Sequence, residues 1–501
     1  MLNSVLMILL CTLAMAYGWG MRGSILGGEK GAMLPGAFVG LLLARFSGIP
    51  ALQDNWFLLT TAGACGFFLG GAMTYGETLG LTMQGFGTPG FKRGLAGVFI
   101  KGFAWFGVAA QMLGIAVVAG SGTVYSWVDL VFTYLAAIPS YFLGRALLNR
   151  PHDPKKNIFP KFYFSKTRYE CWGGCLFVFL TFLGLNLIRG DFFTACYSAL
   201  TALTAGSGWV IAQIVHVYAR RGMQMKNGKY LFGKLQEKGY IDAWKCMECM
   251  IGGFGGLAMS LFFLLFKNLL PYTADTVEYI FPFAEADIPL SIVWTVLFLI
   301  NALHILVEPI PKEWKIRELL QWEWITQKEH DTALNQLKKP PFLMQYRKRF
   351  VELFEGADFI LLGFLPTLFG MLGSAQTARL CAVFVLFWVL TDEICFEQVI
   401  YRERKVRYAF RICMLGVSAA LLLAVHLKPE FFTAGITLFT YAFSYELLQF
   451  LWRQRPVIVK QKKERLGSMK KVILSYGGEL SMQAFFLPVC IILDIVALTI
   501  V

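Results

Sequence analysis

A chain of 501 residues that is 56% hydrophobic and contains 45 Phe is too apolar for a soluble protein of its size. Its formal charge of +14 does not require a nucleic-acid partner, because basic loops on an anionic inner leaflet account for such an excess. Length, composition and charge therefore exclude a soluble domain. They predict a polytopic integral membrane protein whose partner is the lipid bilayer, with no nucleic acid bound.

Apolar runs recur along the whole chain, and a transmembrane helix needs about 20 predominantly apolar residues. The runs predict an all-α membrane protein with about 14 transmembrane helices. The predicted spans are 3–17, 32–46, 57–76, 101–120, 125–147, 170–188, 192–217, 246–267, 288–308, 358–374, 378–397, 409–427, 431–452 and 473–499. The run 1–17 is interpreted as a retained span, since no basic residue precedes it as in a cleavable signal.

The basic residues alternate from one connection to the next. Of the 46 Lys and Arg residues, 41 fall on every second connection: 20–32, 77–101, 145–168, 219–245, 309–357, 398–411 and 453–471. The positive-inside rule assigns these connections to the cytoplasm. The pattern therefore predicts a multi-pass protein of the plasma or inner membrane with both termini outside.

The chain reads as one integral membrane domain, 1–501, without a sizeable soluble part. The basic stretch 219–245 separates two groups of seven spans, so the halves 1–220 and 245–501 would have opposite orientations, as in inverted-repeat transporters. No convincing internal sequence repeat supports this division. The polar segment 309–357 predicts a cytoplasmic interfacial element of two short helices.

Two glycine-rich segments interrupt the apolar runs. Residues 18–40 contain eight glycines around a polar group, and residues 70–90 contain a second set of glycines. Unwound backbone is tolerated at membrane depth where it lines a cavity, so these broken segments predict a substrate site. Its predicted residues are Arg22, Glu29, Lys30, Glu77 and Gln84, with Arg22 paired to Glu29 or Glu77. Close helix packing and ordinary turns explain the same glycines equally well.

Several ionisable residues lie inside predicted spans, where a charge is costly and usually faces a polar interior. Glu446 and Glu479 lie in the last two spans, and His216 and His304 lie in the seventh and ninth. We predict that these four residues take part in proton coupling. Hydrogen bonds between helices are the structural alternative for each of them.

Metal and nucleotide motifs are weak or missing. The only C-x-x-C of the chain is Cys246 to Cys249, and a zinc site needs about four ligands. No Walker P-loop is present, which argues against ATP-driven transport by this chain. The sequence therefore predicts no metal site and no cofactor.

Two functions of different classes fit these features. The first is a secondary transporter, or permease, for a small polar or anionic solute, coupled to protons. The alternative is a membrane-embedded enzyme acting on a lipid-linked or amphiphilic anionic substrate, whose head group would be bound by Arg22, Glu29 and Glu77. Neither the solute nor the oligomeric state follows from the sequence.

Overall fold

The computed structural model describes residues 2–22, 31–71, 73–119, 124–220, 231–237, 241–271, 313–338 except 322 and 324, 363–392 and 456–475, with scattered positions at 289–299 and 409–420. Within these ranges the chain is mostly helical, and its one β pairing is an isolated bridge between Asp153 and Ile158. The predicted all-α class is confirmed for this part of the chain.

The first two hundred and seventy residues form most of the described helices. They are α1 (Leu2–Arg22), α2 (Met33–Phe46), α3 (Pro50–Asp54), α4 (Trp56–Gly71), α5 (Gly76–Thr82), α6 (Pro89–Ala119), α7 (Trp127–Asn149), α8 (Trp172–Ile188), α9 (Phe192–Arg220), α10 (Gly233–Glu237) and α11 (Ala243–Phe266). Further along come α12 (Glu313–Gln321), α13 (Gln327–Lys338), α14 (Leu365–Leu372), α15 (Ala375–Asp392), α16 (Pro456–Leu466) and α17 (Met469–Ser475).

Among the described residues, five helices are long and apolar enough to cross a membrane, namely α1, α6, α7, α9 and α11 extended to Leu269. A sixth span results if α4 and α5, whose axes differ by 60°, form one broken span. The count of 14 spans is therefore not confirmed. At 1.5 Å per residue, α2 with 14 residues is only about 21 Å long, short of a hydrocarbon core of about 30 Å. The predicted spans 409–427, 431–452 and 473–499 lie almost wholly outside the described residues.

Six helices form a closed ring, in which α1, α2, α4, α6, α9 and α11 each pack on the next and α11 returns to α1. Outside the ring, α8 packs on α6 and α7 packs on α8. We call one end of the ring the Glu248 end; there α1 and α9 finish, α4 breaks into α5, and α11 begins. At the opposite end, the Asp191 end, α6 finishes, α7 begins and α8 turns into α9.

Glycines allow neighbouring helices of the ring to touch through their backbones. A Cβ atom on Gly36 of α2 would overlap the carbonyl of Gly63 on α4, and one on Gly252 of α11 would overlap the carbonyl of Met15 on α1. Small residues that permit such approach are typical of helix interfaces in membranes. The packing interpretation therefore accounts for Gly36, although the sequence placed it in a candidate site segment.

The break between α4 and α5 is held by a buried ion pair. The ammonium of Lys101 on α6 donates to the carbonyl of Thr74 at 2.5 Å and to the hydroxyl of Thr78 at 2.7 Å, and it lies 2.7 Å from Glu170. Thr74 lies in the turn between α4 and α5, and Lys101 supplies a donor for its carbonyl. The connection 77–101 is thus largely helical, and α6 begins 12 residues before the predicted span at 101.

The polar segment and the basic segment near the C terminus meet. Helices α12 and α13 bury Ile316, Leu319, Ile325 and Ala333 against one another, which confirms the two predicted short helices. Arg465 of α16 donates to both carboxylate oxygens of Glu323, at 2.6 and 3.1 Å. The turn between α12 and α13 therefore lies against α16.

Candidate functional site

The carboxylate of Glu248 joins the two glycine-rich segments inside the Glu248 end. It is 1% exposed and accepts hydrogen bonds from the hydroxyl of Tyr75 at 3.2 Å and the indole Nε1 of Trp244 at 2.8 Å. The ammonium of Lys245 lies 3.2 Å away and also donates to the carbonyl of Gly20 at 2.8 Å. Residues from 18–40 and 70–90, which the sequence predicted to form one site, thus converge on a carboxylate.

Local helix geometry explains how α11 presents these groups. The side chain of Asp242 caps the helix by accepting from the backbone N–H of Trp244 at 2.9 Å. Trp244 and Lys245 lie four and three residues before Glu248, and residues at these spacings share a helix face. The first turn of α11 therefore directs an indole, an ammonium and a carboxylate together.

Helix α9 faces this group with three buried polar side chains, Trp209, Gln213 and His216. The amide of Gln213 donates to the hydroxyl of Thr82 at 2.5 Å, and its oxygen lies 3.3 Å from Nδ1 of His216. The imidazole packs edge-on against Trp244, with ring centroids 5.4 Å apart. Of the four predicted proton-coupling residues, His216 is the one that lies within the described ranges, and it belongs to this cluster.

Within the described part of the protein, two nitrogens on this face of α9 are buried without a hydrogen-bond partner. They are Nε1 of Trp209 and Nε2 of His216. Leaving a buried polar group unpaired costs about 1–3 kcal/mol, so native proteins usually satisfy such groups with protein, water or ligand. Both atoms are therefore available to bind oxygen atoms of a solute or of water.

Aromatic side chains fill the space between the six helices beside Glu248. The rings of Trp19, Trp105 and Trp209 lie 5.0 to 6.0 Å apart, and the ring of Tyr75 lies 5.3 Å from Trp209. Glycines make room for them: a Cβ atom on Gly102 would meet the Trp209 indole at 2.7 Å. The cluster gives the polar group an apolar wall.

The polar group carries opposite charges in an apolar setting. Glu248 is 1% exposed and Lys245 is 20% exposed, so the ammonium is the group closer to solvent. Attraction between charges is stronger where water is excluded, which makes this pair sensitive to a proton or to a competing anion. A proton on Glu248 would leave the ammonium of Lys245 without this negative partner.

The other predicted residues have different positions. Glu77 accepts from the backbone N–H groups of Lys166 and Thr167 at 2.6 and 3.0 Å, and from the Thr167 hydroxyl, so its carboxylate anchors the 166–167 turn. Gln84 is exposed on the turn after α5. Arg22 ends α1, two residues after Gly20, and its side chain is outside the described part.

Five predicted site residues lie outside the described ranges altogether, namely Glu29, Lys30, His304, Glu446 and Glu479. Pairing of Arg22 with Glu29 or Glu77 stays a prediction. For the same reason, the proton-coupling roles of Glu446, Glu479 and His304 stay predictions.

Sequence reasoning overlooked Glu248 and Lys245, although a signal for Glu248 was present. The predicted span 246–267 already placed Glu248 within an apolar helix, but the neighbouring cysteines directed attention to metal binding. Within the ranges that the structure describes, no three His, Cys, Asp or Glu side chains are placed to hold a metal ion. Comparisons with family models, curated proteins and solved structures find no match for this chain.

Proposed function

We propose that this chain is a multi-pass secondary transporter for a small polar or anionic solute, coupled to protons, with its solute path at Glu248. The supporting observation is that this buried carboxylate has donors from Tyr75, Trp244 and Lys245 where two glycine-rich segments and a broken helix meet. Carboxylates in apolar helices mark ion and proton pathways, and broken helices are common at transporter binding sites.

The ion pair suggests how a proton and an anion are moved together. While Glu248 is ionised, it neutralises Lys245 at 3.2 Å. A proton bound to Glu248 removes that negative charge and frees the ammonium for a solute anion. Loss of the proton restores the pair, and the carboxylate then displaces the solute.

Neighbouring groups favour a solute with oxygen atoms. Trp209 Nε1 is a donor only, and His216 Nε2 donates in one tautomer and in the protonated ring. Together with Lys245 they supply donors on one side, while the rings of Trp105 and Tyr75 supply an apolar side. Sites for small molecules commonly combine a few directed polar groups with an apolar lining.

In this proposal the Glu248 end faces the cytoplasm. The basic stretch 219–245 connects α9 to α11 at this end. The contact between Arg465 and Glu323 supports a common side for two other segments assigned to the cytoplasm. Arg22, Glu29 and Lys30 would extend the path outward, and Glu446, Glu479 and His304 keep their proposed place in proton coupling.

Uptake into sealed vesicles tests the proposal. The full chain is reconstituted, and uptake of labelled lactate, succinate, glutamate and inorganic phosphate is measured under imposed pH gradients of either direction. At least one solute should accumulate with a dependence on the gradient. In Glu248→Gln and Lys245→Met, its uptake should fall to the level of vesicles without protein, because the exchangeable pair is lost.

Glu464→Gln is the matched control, since Glu464 is an exposed carboxylate on α16, and it should transport normally. A solute recovered chemically unchanged from the vesicle interior supports transport over the enzyme alternative. A folded protein that moves none of the four solutes under either gradient would contradict the proposal.

A further inference from the structure

A second buried carboxylate ends a chain of polar side chains at the Asp191 end. The hydroxyl oxygen of Tyr125 lies 2.5 Å from Oδ2 of Asp191 and 2.9 Å from Oδ1 of Asn186. The amide nitrogen of Asn186 donates to Oε1 of Gln111 at 2.6 Å. None of these four side chains is in contact with Glu248; they connect the α8–α9 turn to α6.

All four residues are buried, between 0 and 2% exposed. Gln111 lies eight residues before the end of α6, which is about 12 Å along the helix. The series of hydrogen-bonded side chains therefore reaches into the bundle. Its amide nitrogen is fully buried and has no hydrogen-bond partner within the described part of the protein. The series of hydrogen bonds therefore begins at the carboxylate of Asp191 and ends at the amide nitrogen of Gln111.

Counting hydrogen atoms shows that these oxygen positions are fully satisfied when Asp191 carries a proton. The hydroxyl of Tyr125 has one hydrogen, but it faces two oxygens, those of Asp191 and Asn186. The amide of Asn186 is oriented by its donation to Gln111, so Tyr125 must donate to Asn186. The contact at 2.5 Å is then a hydrogen bond only if Asp191 carries the proton and donates it.

A second complete pattern exists for the ionised carboxylate. Tyr125 would donate to Asp191, and the amide of Asn186 would turn over and donate to the Tyr125 oxygen. Gln111 would turn as well, so that its unpartnered nitrogen donates to Asn186. The hydrogen bonds among these four side chains can thus run in either of two directions, and the protonation of Asp191 selects between them.

The surroundings provide little to keep Asp191 ionised. Burial raises its pKa, and the hydrogen bonds that Thr194 and Tyr125 donate to the ionised carboxylate offset the effect only in part. The nearby cation, Arg189, is paired with Asp129 at 3.3 Å and donates to Thr133. The other groups facing the chain are the phenol of Tyr134 from α7, the uncharged Gln111 from α6, Asn186 from α8 and Thr194 from α9.

We propose that Asp191 is a proton-binding site and that Tyr125 and Asn186 relay its protonation state to Gln111 in the bundle. The occupant is a proton, because oxygen atoms about 2.5 Å apart are at the separation of a short O–H···O hydrogen bond. This site is independent of the proposed solute path, since it lies at the other end of α9.

Infrared difference spectroscopy of the full chain in lipid nanodiscs tests the site. At about pH 6, two units above the ordinary pKa of about 3.9 for Asp, the wild type should show a protonated carboxyl band. The band should be missing in Asp191→Asn, whose amide resembles the protonated acid in shape. Asp129→Asn is the matched control and should keep the band, because Asp129 is a partly exposed carboxylate at the same end.

The relay has its own readout. Side-chain amide bands should change during the same pH titration, and this change should disappear in Tyr125→Phe and in Gln111→Leu. If Asp191→Asn does not fold, Tyr125→Phe still tests the site, because loss of the donor should move the titration midpoint upward. An Asp191→Asn spectrum identical to wild type, an unchanged midpoint in Tyr125→Phe, or a midpoint set by sodium concentration would each overturn the proposal.

Discussion

A buried carboxylate lies near each end of α9, and the two have different neighbours. Glu248 has the ammonium of Lys245 at 3.2 Å as well as an indole and a phenol. Asp191 has a phenol and a backbone N–H, while the nearest guanidinium, that of Arg189, pairs with Asp129. Burial alone therefore does not decide the charge of a carboxyl group. A neighbouring cation favours the ionised form, and its absence favours the neutral acid.

The buried ion pair of Lys101 and Glu170 holds the break between α4 and α5 at the Glu248 end, and its removal should destabilise the protein most. Lys101→Met should lower the free energy of unfolding by about 3–5 kcal/mol, because it leaves the carboxylate of Glu170 buried without its partner. Unfolding by a denaturing detergent in mixed micelles measures this. Lys161→Met, at an exposed lysine, should change little, and equal stability of the two variants would show that the pair at Lys101 contributes nothing.

The aromatic wall of the Glu248 end is tested by adding one methyl group to α11. Gly255→Ala places a Cβ into the ring of Phe106 and should destabilise the protein by about 1–3 kcal/mol. Gly253→Ala is the control on the same helix, where the nearest atom is 3.8 Å from the added Cβ. It should be neutral or stabilising by up to about 1 kcal/mol. A reversed order would contradict the packing described for this end.

Removing one phenol at each end compares the two carboxylates directly. Tyr125→Phe should cost about 1–3 kcal/mol, because it leaves buried oxygens of Asp191 and Asn186 without their partner. Tyr75→Phe should cost about 0.5–1.5 kcal/mol, because Glu248 keeps Trp244 and Lys245. Both are measured by detergent unfolding at neutral pH. A larger loss in Tyr75→Phe would reverse the comparison.

The smallest effect is a change in the pH dependence of stability. The pKa of Asp191 is raised in the folded protein, so between its ordinary value of about 3.9 and its folded value the native state holds more protons than the unfolded chain. This group therefore makes stability fall as pH rises through that window, by at most about 1.4 kcal/mol per pH unit.

Asp191→Asn should remove that contribution and flatten the stability curve across the window, whereas Asp129→Asn should leave it in place. Melting temperatures at a series of pH values measure the difference between each variant and the wild type. Parallel curves for Asp191→Asn and wild type would show that Asp191 titrates normally.

Helix positions were predictable where apolar runs are long. The predicted spans 125–147 and 192–217 correspond to α7 (Trp127–Asn149) and α9 (Phe192–Arg220). The start of α6 was missed, because Lys101 in an apolar run reads as the end of a loop. Its partner Glu170 lies 69 residues away in the chain, and spacing in sequence does not reveal such a pair.

The candidate site was predictable in part. Two glycine-rich segments were expected to meet, and Gly20 and Tyr75 do converge through Lys245 and Glu248. Glu77 was expected beside them, but its side chain binds the turn at Thr167, which comes close only through folding. Helical periodicity shows which residues share a face; it does not show which other segment that face meets.

By itself, the sequence determined the class of this protein: its hydrophobic runs can be buried only as apolar helices, and their length and basic flanks indicate a bilayer. The tertiary structure alone decided which charged and polar groups became partners. Glu248 and Lys245 are three residues apart, but Tyr75 and Gly20 reach them from 173 and 225 residues away. Apolar burial is a property of each segment, whereas hydrogen bonds and ion pairs require atoms from several segments to meet within about 3 Å.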